Sequence, residues 1–271
     1  MGKFLAQYMP VNVSAHGAKL DELNAMVHWL MLVLFVGWGI YFIVSLVKFR
    51  AGKHPKAQYE GTKNKFSTAS EIGVVIIEAV LLLVFAIPTW SRWVTPPPKE
   101  SNPLEVRVMG EQFAWNIHYP GADNVFGRAD VKLVDSSNPV GLDLKDPNAK
   151  DDIITVNQLH MEVNRPVIVR LTSKDVIHSF KVPVMRVTQD AIPGQEIPVY
   201  FTPIKASGTE KWEIACAQLC GLGHYRMRGY ITVHEKAGFE AWLRENAPVP
   251  LAPAGAPAPV VPPPPVVSAA I

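Results

Sequence analysis

The sequence has little net charge and very few cysteines, and each shortage excludes a class of protein. Its 271 residues carry 26 Lys and Arg against 24 Asp and Glu, a formal net charge of +2. That balance argues against a nucleic-acid-binding protein and against a strongly acidic substrate. Only two cysteines are present, and no C-x-x-C-H sequence occurs, so the chain has no site for a covalently attached c-type haem.

Long apolar runs, by contrast, are concentrated near the N-terminus. Residues 25–47 carry no formal charge, and residues 72–90 are interrupted only by Glu78. At about 1.5 Å per residue, both runs approach or exceed the roughly 30 Å of a hydrocarbon core. Trp29, Trp90 and Trp93 stand near their ends, where aromatic residues meet the lipid headgroups. We predict a hairpin of two transmembrane helices, an anchor over 25–94.

The segment between the two runs indicates how the hairpin is oriented. Residues 48–70 contain six basic residues and a single acid, Glu60. By the positive-inside tendency this loop is cytoplasmic, so both termini lie outside. The first 24 residues lack the apolar segment and cleavage site of a secretory signal. We therefore expect 1–24 to be a retained segment on the periplasmic side.

A second unit follows the anchor. Residues 95–102 contain three consecutive prolines, which favour an extended spacer. Short β-type runs then recur between turn-rich pieces, and they lie at 104–109, 113–118, 153–156, 167–171, 197–201, 212–216 and 230–233. This pattern predicts an all-β Greek-key sandwich or barrel over 95–246 on the periplasmic side, closed by a helix at 237–246. The Pro- and Ala-rich tail, 247–271, is expected to be disordered.

Both cysteines lie in one run, CAQLCGLGHYRM, at 216–227. A disulfide is one interpretation, although so short a bridge would add little stability. A closed tetrahedral zinc site is another. His224 and Met227 follow Cys220 directly, and a thioether is a better ligand for copper than for zinc. The surplus thiolate has a use if both sulfurs bridge two copper ions, each with one terminal imidazole. His178, directly after a predicted strand, is best placed to supply the second imidazole.

Three sequence pieces, TSKDVIHSF, QDAIPGQ and CAQLCGLGHYRM, occur in that order behind the two apolar runs. Over residues 25–235 the chain resembles subunit II of cytochrome c oxidase, a haem-copper oxidase subunit with a cupredoxin-like domain. The resemblance implies a binuclear copper centre, CuA. Its ligands would be the bridging thiolates of Cys216 and Cys220, the imidazoles of His178 and His224, the thioether of Met227 and the backbone carbonyl of Gln218.

The family's function follows from the resemblance. It implies a respiratory electron-transfer subunit in a bacterial-type plasma membrane, in contact with lipid, with oxidase subunit I and with other oxidase subunits. A separate c-type cytochrome would donate electrons to CuA, which would pass them to haem in subunit I. No residue set in this chain indicates an oxygen-reducing site of its own.

Two positions depart from the family pattern. Gln218 stands where the family commonly has a glutamate that binds Mg or Mn at the interface with subunit I. A neutral amide is a poorer ligand for a hard cation, which argues against that second metal. Phe113 stands where the family has the tryptophan that receives electrons. Phe113 and Trp115 are our candidates for electron acceptance, with a core position as the alternative for Trp115.

Two carboxylates in or near the second apolar run suggest a separate role. Glu71 and Glu78 are seven residues apart and therefore share a helix face. By the resemblance, Glu71 corresponds to the glutamate at the mouth of a proton channel. The alternatives are a helix-start acid for Glu71 and, for Glu78, a hydrogen bond across helices.

Three other histidines are predicted to have no metal-binding role, and two other functions are alternatives. His118, His160 and His234 have no neighbouring ligands in sequence, which predicts satisfied strand or surface histidines. A membrane-tethered copper-delivery protein would also use C-x3-C plus a distant His, but with a thioredoxin-like strand-helix alternation. A metal-free quinol oxidase subunit II would lack the copper ligands, which this sequence retains.

Overall fold

The chain begins with two long apolar helices, seen here in a computed structural model that describes residues 8–56, 59–60 and 64–248. Helix α1 spans Gly17–Lys48 and α2 spans Lys65–Val94; no residue of either apolar window is buried within the chain. Asn64 caps α2, because its side chain accepts a hydrogen bond from the Ser67 amide at 2.7 Å. Near its outer end α2 widens into a π-helical segment, Leu81–Ala86, just before Pro88.

The first helix is longer than its apolar run. We predicted a start at residue 25, and α1 begins at Gly17. The extra two turns are polar and rest against the β-domain, where Asp21 pairs with Arg186. Hydropathy alone could not show them, because it detects only the part of a helix that meets lipid.

After the proline-rich spacer the chain folds into two five-stranded sheets, ordered β3-β2-β1-β5-β8 and β4-β10-β9-β6-β7. The strands are β1 Leu104–Glu111, β2 Ala114–Tyr119, β3 Ile153–Val156, β4 Gln158–Glu162, β5 Val167–Ser173, β6 His178–Val182, β7 Val187–Ala191, β8 Ile197–Phe201, β9 Trp212–Cys216 and β10 Arg228–His234. Alternate residues face inward, as the burial of Val106 and Val108 on β1 shows. The sheets enclose one core, which confirms the predicted cupredoxin-like sandwich behind two apolar helices.

Sequence patterns missed three strands, β4, β6 and β7. The sequences of β6 and β7 lack a clean apolar alternation, as in His178–Val182, and β4, which does alternate, is only five residues long. The predicted strand at 113–118 also begins one residue late in the structure, at Ala114. Phe113 instead lies in the turn between β1 and β2, after a cis peptide bond.

Helix α3, Lys236–Asn246, closes the domain much as predicted and buries Phe239 and Trp242. The described part of the tail ends at residue 248, so most of the predicted disordered tail, 247–271, lies outside the described residues. Residues 120–152 form a long connection that covers the outer face of the first sheet around a small cluster of Val140, Leu142 and Ala149.

Candidate metal centre

The ligand-bearing residues meet at one end of the second sheet. His178 begins β6 and Cys216 ends β9, and these strands pair with Phe180 opposite Cys216. The loop after Cys216 carries Cys220 and His224 and returns to β10 immediately after Met227. Residues 38 positions apart in sequence are thereby brought into contact by strand pairing.

Two thiols form the middle of the cluster. The Sγ atoms of Cys216 and Cys220 lie 3.8 Å apart, and both cysteines are free. A disulfide would need about 2.05 Å between the sulfurs, so the structure does not support the disulfide interpretation. Within the described residues, His178, Cys216 and Cys220 form the one group of three His, Cys, Asp or Glu whose ligand atoms lie close enough to share a metal, within 4.8 Å of one another.

The other donors are divided between the two sulfurs. The His178 Nδ1 lies 3.9 Å from Cys216 Sγ, and the His224 Nδ1 lies 3.7 Å from Cys220 Sγ. The Met227 Sδ is 3.8 Å from Cys220 Sγ, and the Gln218 carbonyl oxygen is 3.2 Å from Cys216 Sγ. Each sulfur therefore has one imidazole and one weaker donor beside it.

Burial protects this cluster from water. His178 is fully buried, and Cys216, Cys220 and Met227 are 9%, 4% and 2% exposed. His224 is half-buried, so solvent reaches the cluster from its side. A buried set of soft donors with one accessible edge is typical of a metal centre that exchanges electrons and not substrates.

Hydrogen bonding separates the acidities of the two thiols. Burial raises the pKa of Cys216, but hydrogen bonds from His178 and from the backbone of Ser179 outweigh it and hold that pKa at about 6. Burial and the neighbouring Cys216 sulfur raise the pKa of Cys220 to about 11. A thiolate at Cys216 therefore disfavours the formation of a second thiolate at Cys220. A bound cation would offset the repulsion between the two negative sulfurs.

Two residues outside the donor set fix its geometry. The Asp175 carboxylate accepts one hydrogen bond from His178 Nε2 at 2.8 Å and another from the backbone amide of Gln112 at 2.7 Å. This leaves the His178 Nδ1 facing Cys216. The Gln112 side chain donates to the Cys220 carbonyl at 2.6 Å, which ties the ligand loop to the β1–β2 turn. Sequence analysis did not identify either residue as part of the site.

The turn also places the predicted electron-accepting residues. The Phe113 ring lies over the ligand loop and is 37% exposed, whereas Trp115 is fully buried with its edge toward His178, ring centroids 6.0 Å apart. Leu219, Leu222 and Tyr225 are exposed on the loop around Phe113. The core alternative for Trp115 is therefore the observed position, and the electron-accepting role of either residue remains a prediction.

The other predicted residues lie apart from this cluster. The Gln218 side chain is exposed and supplies no carboxylate. Glu71 accepts a hydrogen bond from Ser67 on α2 at 3.2 Å, and Glu78 is on the apolar surface of the same helix. Their role in proton uptake remains a prediction.

Three of the six histidines outside the donor set, His118, His160 and His234, have partners that the sequence did not reveal. His118 Nε2 contacts Asp152 at 2.7 Å in the domain interior. His160 Nδ1 lies 2.8 Å from His234 Nε2, which agrees with the prediction that both are satisfied strand histidines. The parallel pairing of β4 with β10 brings these two residues together.

Comparison with known proteins agrees with this geometry. Residues 104–234 match the family described as cytochrome C oxidase subunit II, periplasmic domain. The alternative cytochrome c oxidase subunit 2 of Bradyrhizobium diazoefficiens is 29% identical over 235 residues, 86% of this chain and 82% of that protein. The cytochrome c oxidase subunit 2 of Thermostichus vulcanus is 35% identical over 150 residues, 55% of this chain and 36% of that protein.

Among solved structures, the periplasmic domain of subunit II of cytochrome oxidase (CoxB) of Bradyrhizobium japonicum shares 27% sequence identity with this chain. The superposition covers 53% of this chain and 92% of that one, with a TM-score of 0.38. The family match coincides with the strands that carry the donor set, from β1 to β10. Residues 104–234 belong to the cytochrome c oxidase subunit II family, whose members are subunits of an oxidoreductase complex.

Proposed function

We propose that this subunit holds a binuclear copper centre and carries electrons from a c-type cytochrome to haem in oxidase subunit I. The observation that supports this most directly is the paired arrangement of donors. Two thiols lie 3.8 Å apart, and each has its own imidazole nitrogen within 4 Å. Such an arrangement suits two cations that share both sulfurs.

The chemistry of the donors fits copper. Cys216 and Cys220 would bridge, His178 and His224 would be terminal ligands, and Met227 and the Gln218 carbonyl would be weak ligands. Zinc prefers a closed set of thiolate and imidazole, whereas a thioether beside the thiolates is typical of electron-transfer copper. A bound copper pair supplies a reversible one-electron change. Gln218 offers no carboxylate for a Mg or Mn ion at the subunit interface, which argues against that second metal.

The residues around the donors keep them in place when the charge of the centre changes. His178 and Cys216 are fixed by paired strands, and Asp175 fixes the tautomer and orientation of the His178 ring. Low exposure of the thiols excludes water and lowers the local dielectric response. A donor set that moves little suits fast electron transfer.

The electron donor would dock on the exposed edge of the ligand loop. Leu222 and Tyr225 are 101% and 87% exposed there, next to the Phe113 ring. Large apolar side chains at the surface commonly mark a contact site for another protein. Electrons would pass into the centre near Phe113, with Trp115 beneath the opposite side of His178.

We expect the anchor to hold this domain outside the membrane. The positive loop between α1 and α2 predicts that both termini and the copper domain, 95–246, face the periplasm of a bacterial-type plasma membrane. The unburied apolar surfaces of α1 and α2 would contact lipid, subunit I and other oxidase subunits. Glu71 and Glu78 on α2 would then face subunit I and could take part in proton uptake.

The two alternative functions receive less support. A thioredoxin-like copper-delivery protein would alternate strands and helices, whereas the described residues after the anchor form ten strands and one α-helix. A metal-free quinol oxidase subunit would not need two thiols, two imidazoles and a thioether close together.

Metal analysis and EPR spectroscopy of the purified full chain test the proposal. We expect two coppers per chain and the seven-line hyperfine pattern of an electron shared between two copper nuclei. Cys220→Ser should abolish that pattern, whereas Ser207→Ala, a serine distant from the donors, should keep it. One copper per chain, or zinc in place of copper, would refute the proposal.

A further inference from the structure

A groove lies where the outer end of α2 rests on β8. It consists of two adjoining cavities of about 390 Å³ and 370 Å³, which share Trp93 and Tyr200 in their walls. Volumes of this size are within the usual range for small-molecule sites. The groove is remote from the donor set, since none of the metal-centre donors lines it.

The position of the groove relative to the bilayer follows from the length of α2. Helix α2 spans Lys65–Val94, and its cytoplasmic end follows the positive loop. Its length of about 45 Å, at roughly 1.5 Å per residue, exceeds the hydrocarbon core of about 30 Å. Trp90 and Trp93 in its last turns therefore reach the headgroup layer of the outer leaflet.

The walls of the groove continue into the lipid-facing surface of the helix. Trp90 and Val94, which line the second cavity, are 59% and 47% exposed. Farther along α2, Leu83 and Val84 are exposed in the same way. An acyl chain lying along α2 would therefore reach the groove without leaving an apolar surface.

The charge at the groove has one sign. Arg92 lines the first cavity and makes no ion pair or hydrogen bond with any described residue. None of the described residues that line either cavity is Asp or Glu. His16 lies in the same wall, stacked on Trp93, and its Nε2 is buried without a hydrogen-bond partner among the described residues. The groove thus offers the Arg92 cation to an anionic group held against apolar walls.

We propose that this groove binds a phospholipid of the outer leaflet, with its phosphate at Arg92 and its glycerol and upper acyl chains against Trp90, Trp93 and Tyr200. An unpaired guanidinium suits a phosphate, to which it can donate two parallel hydrogen bonds. A soluble phosphate would leave the apolar walls uncovered, so a lipid is the better occupant. The proposal rests on α1 and α2 spanning a membrane but not on the copper centre.

Photolabelling of the full chain in lipid nanodiscs tests this site. The probe is a phosphatidylglycerol with a photoactivatable group near the glycerol, and labelled peptides are identified by mass spectrometry. We expect labelling to concentrate in residues 88–98 and 197–202. Arg92→Gln should reduce it at least about fivefold, which corresponds to roughly 1 kcal/mol of lost binding. A photoactivatable diacylglycerol, which lacks the phosphate, should label these peptides as weakly as the variant does.

Four controls make the result decisive. Arg50→Gln, an exposed arginine beyond the other end of the hairpin, should leave the labelling of the groove unchanged. Excess inorganic phosphate should not compete, and the intact oxidase should be labelled at the same peptides. Copper content is measured on the same samples and should not change with Arg92→Gln. Labelling that is even along both helices, that is insensitive to Arg92→Gln, that phosphate displaces, or that vanishes in the intact oxidase would overturn the proposal.

Discussion

Asp175 holds the His178 ring from the side away from the sulfurs. Its carboxylate accepts from His178 Nε2, from the Gln112 amide and from its neighbour's amide at Val176, all at 2.6–2.8 Å. Such outer partners fix the tautomer of a ligating histidine and its direction. Because the same carboxylate also contacts Gln112, the upstream histidine and the ligand loop are positioned by one connected set of hydrogen bonds.

Substitution of Asp175 therefore tests this positioning role. Asp175→Ala should weaken copper binding by about 10- to 100-fold, because the ring loses its partner. The copper affinity of Asp175→Asn should lie between those of Asp175→Ala and the unaltered chain. The asparagine carbonyl oxygen can accept a hydrogen bond from His178, but its amide group cannot accept one from Gln112. The measurement is competition with a chelator, together with the EPR hyperfine pattern. Equal copper affinity in Asp175→Ala and the unaltered chain would contradict the role.

Gly223 allows the ligand loop to approach the β1–β2 turn. A Cβ at this position would lie 2.3 Å from Phe113 Cδ2, closer than packed atoms tolerate. Its backbone has φ of −89°, so the restriction is one of space and not of conformation. Phe113 and the loop glycine therefore fit one another as a pair.

We expect Gly223→Ala to destabilise the domain by about 1–3 kcal/mol through overpacking and to alter the copper EPR spectrum. Phe113→Ala in the same chain should restore the spectrum, because removal of the ring makes room for the new methyl group. Gly238→Ala, whose nearest contact would be an ordinary 3.5 Å, is the matched control and should leave the spectrum unchanged without destabilising the domain, because alanine is favoured over glycine in helix α3. Failure of Phe113→Ala to restore the spectrum would show that the ring is not what Gly223 accommodates.

The donors could be predicted from sequence, but their supporting residues could not. Cys216, Cys220, His224 and Met227 share one short run whose spacing is informative by itself. Asp175 and Gln112 act across 63 residues, and Gln112 and Cys220 across 108. Their residue types are common in turns, and only the pairing of strands shows that they meet.

At the scale of elements, helix α3 is held against the second sheet by a stack of rings. The His160 ring is parallel to that of Trp242 at 4.3 Å and to that of His234 at 5.1 Å. Burial, and next to it the nearby His234, lowers the pKa of His160 to about 4 from an ordinary 6.5. Burial lowers the pKa of His234 as well. Both rings are therefore neutral where the stack is intact.

This stack predicts a loss of stability in acid. Between pH 6.5 and 4 the unfolded chain binds a proton at residue 160 that the folded chain does not, so stability rises with pH in this window. The stabilisation that the neutral His160 ring contributes is fully present above pH 6.5 and is lost as the pH falls towards 4. His160→Gln should flatten the pH dependence of Tm for the copper-free chain. His54→Gln, an exposed histidine between α1 and α2, should retain the slope; an unchanged slope in His160→Gln would contradict the assignment.

Elements with a strong pattern were predicted, and those defined by their neighbours were not. The alternating burial of β1 and β5 is visible in the sequence, since every second residue is apolar. Strand β6 is polar at three of its five positions and does not alternate, and it is a strand because β7 and β9 pair with it. The β9 partner is distant in sequence, with Phe180 opposite Cys216, so local periodicity cannot indicate this pairing.

At the scale of the whole molecule, the segment before α1 joins the anchor to the β-domain. The Val13 backbone amide donates a hydrogen bond to the Val184 carbonyl, and the Val13 carbonyl accepts one from the Ile204 amide, each at 2.9 Å. The Ser14 hydroxyl donates to the Met185 carbonyl at 2.9 Å, and both Val13 and Ser14 are fully buried. The chain thus holds the first helix to the domain through residues that precede the membrane span, in addition to the covalent link after α2.

Arg186 completes this junction, because it donates to both Asp21 oxygens, at 2.8 and 3.0 Å, and to the Pro10 carbonyl. We expect Arg186→Ala to weaken the junction by about 1–3 kcal/mol, the usual cost of leaving the partner of a lost hydrogen bond unsatisfied. Hydrogen exchange in residues 11–20 should then accelerate roughly 5- to 150-fold, whereas the copper spectrum should not change. Arg186→Lys keeps the charge but not the two parallel bonds, so it should recover only part of the protection. Unchanged exchange in Arg186→Ala would mean that backbone pairing alone fixes the β-domain to the first helix.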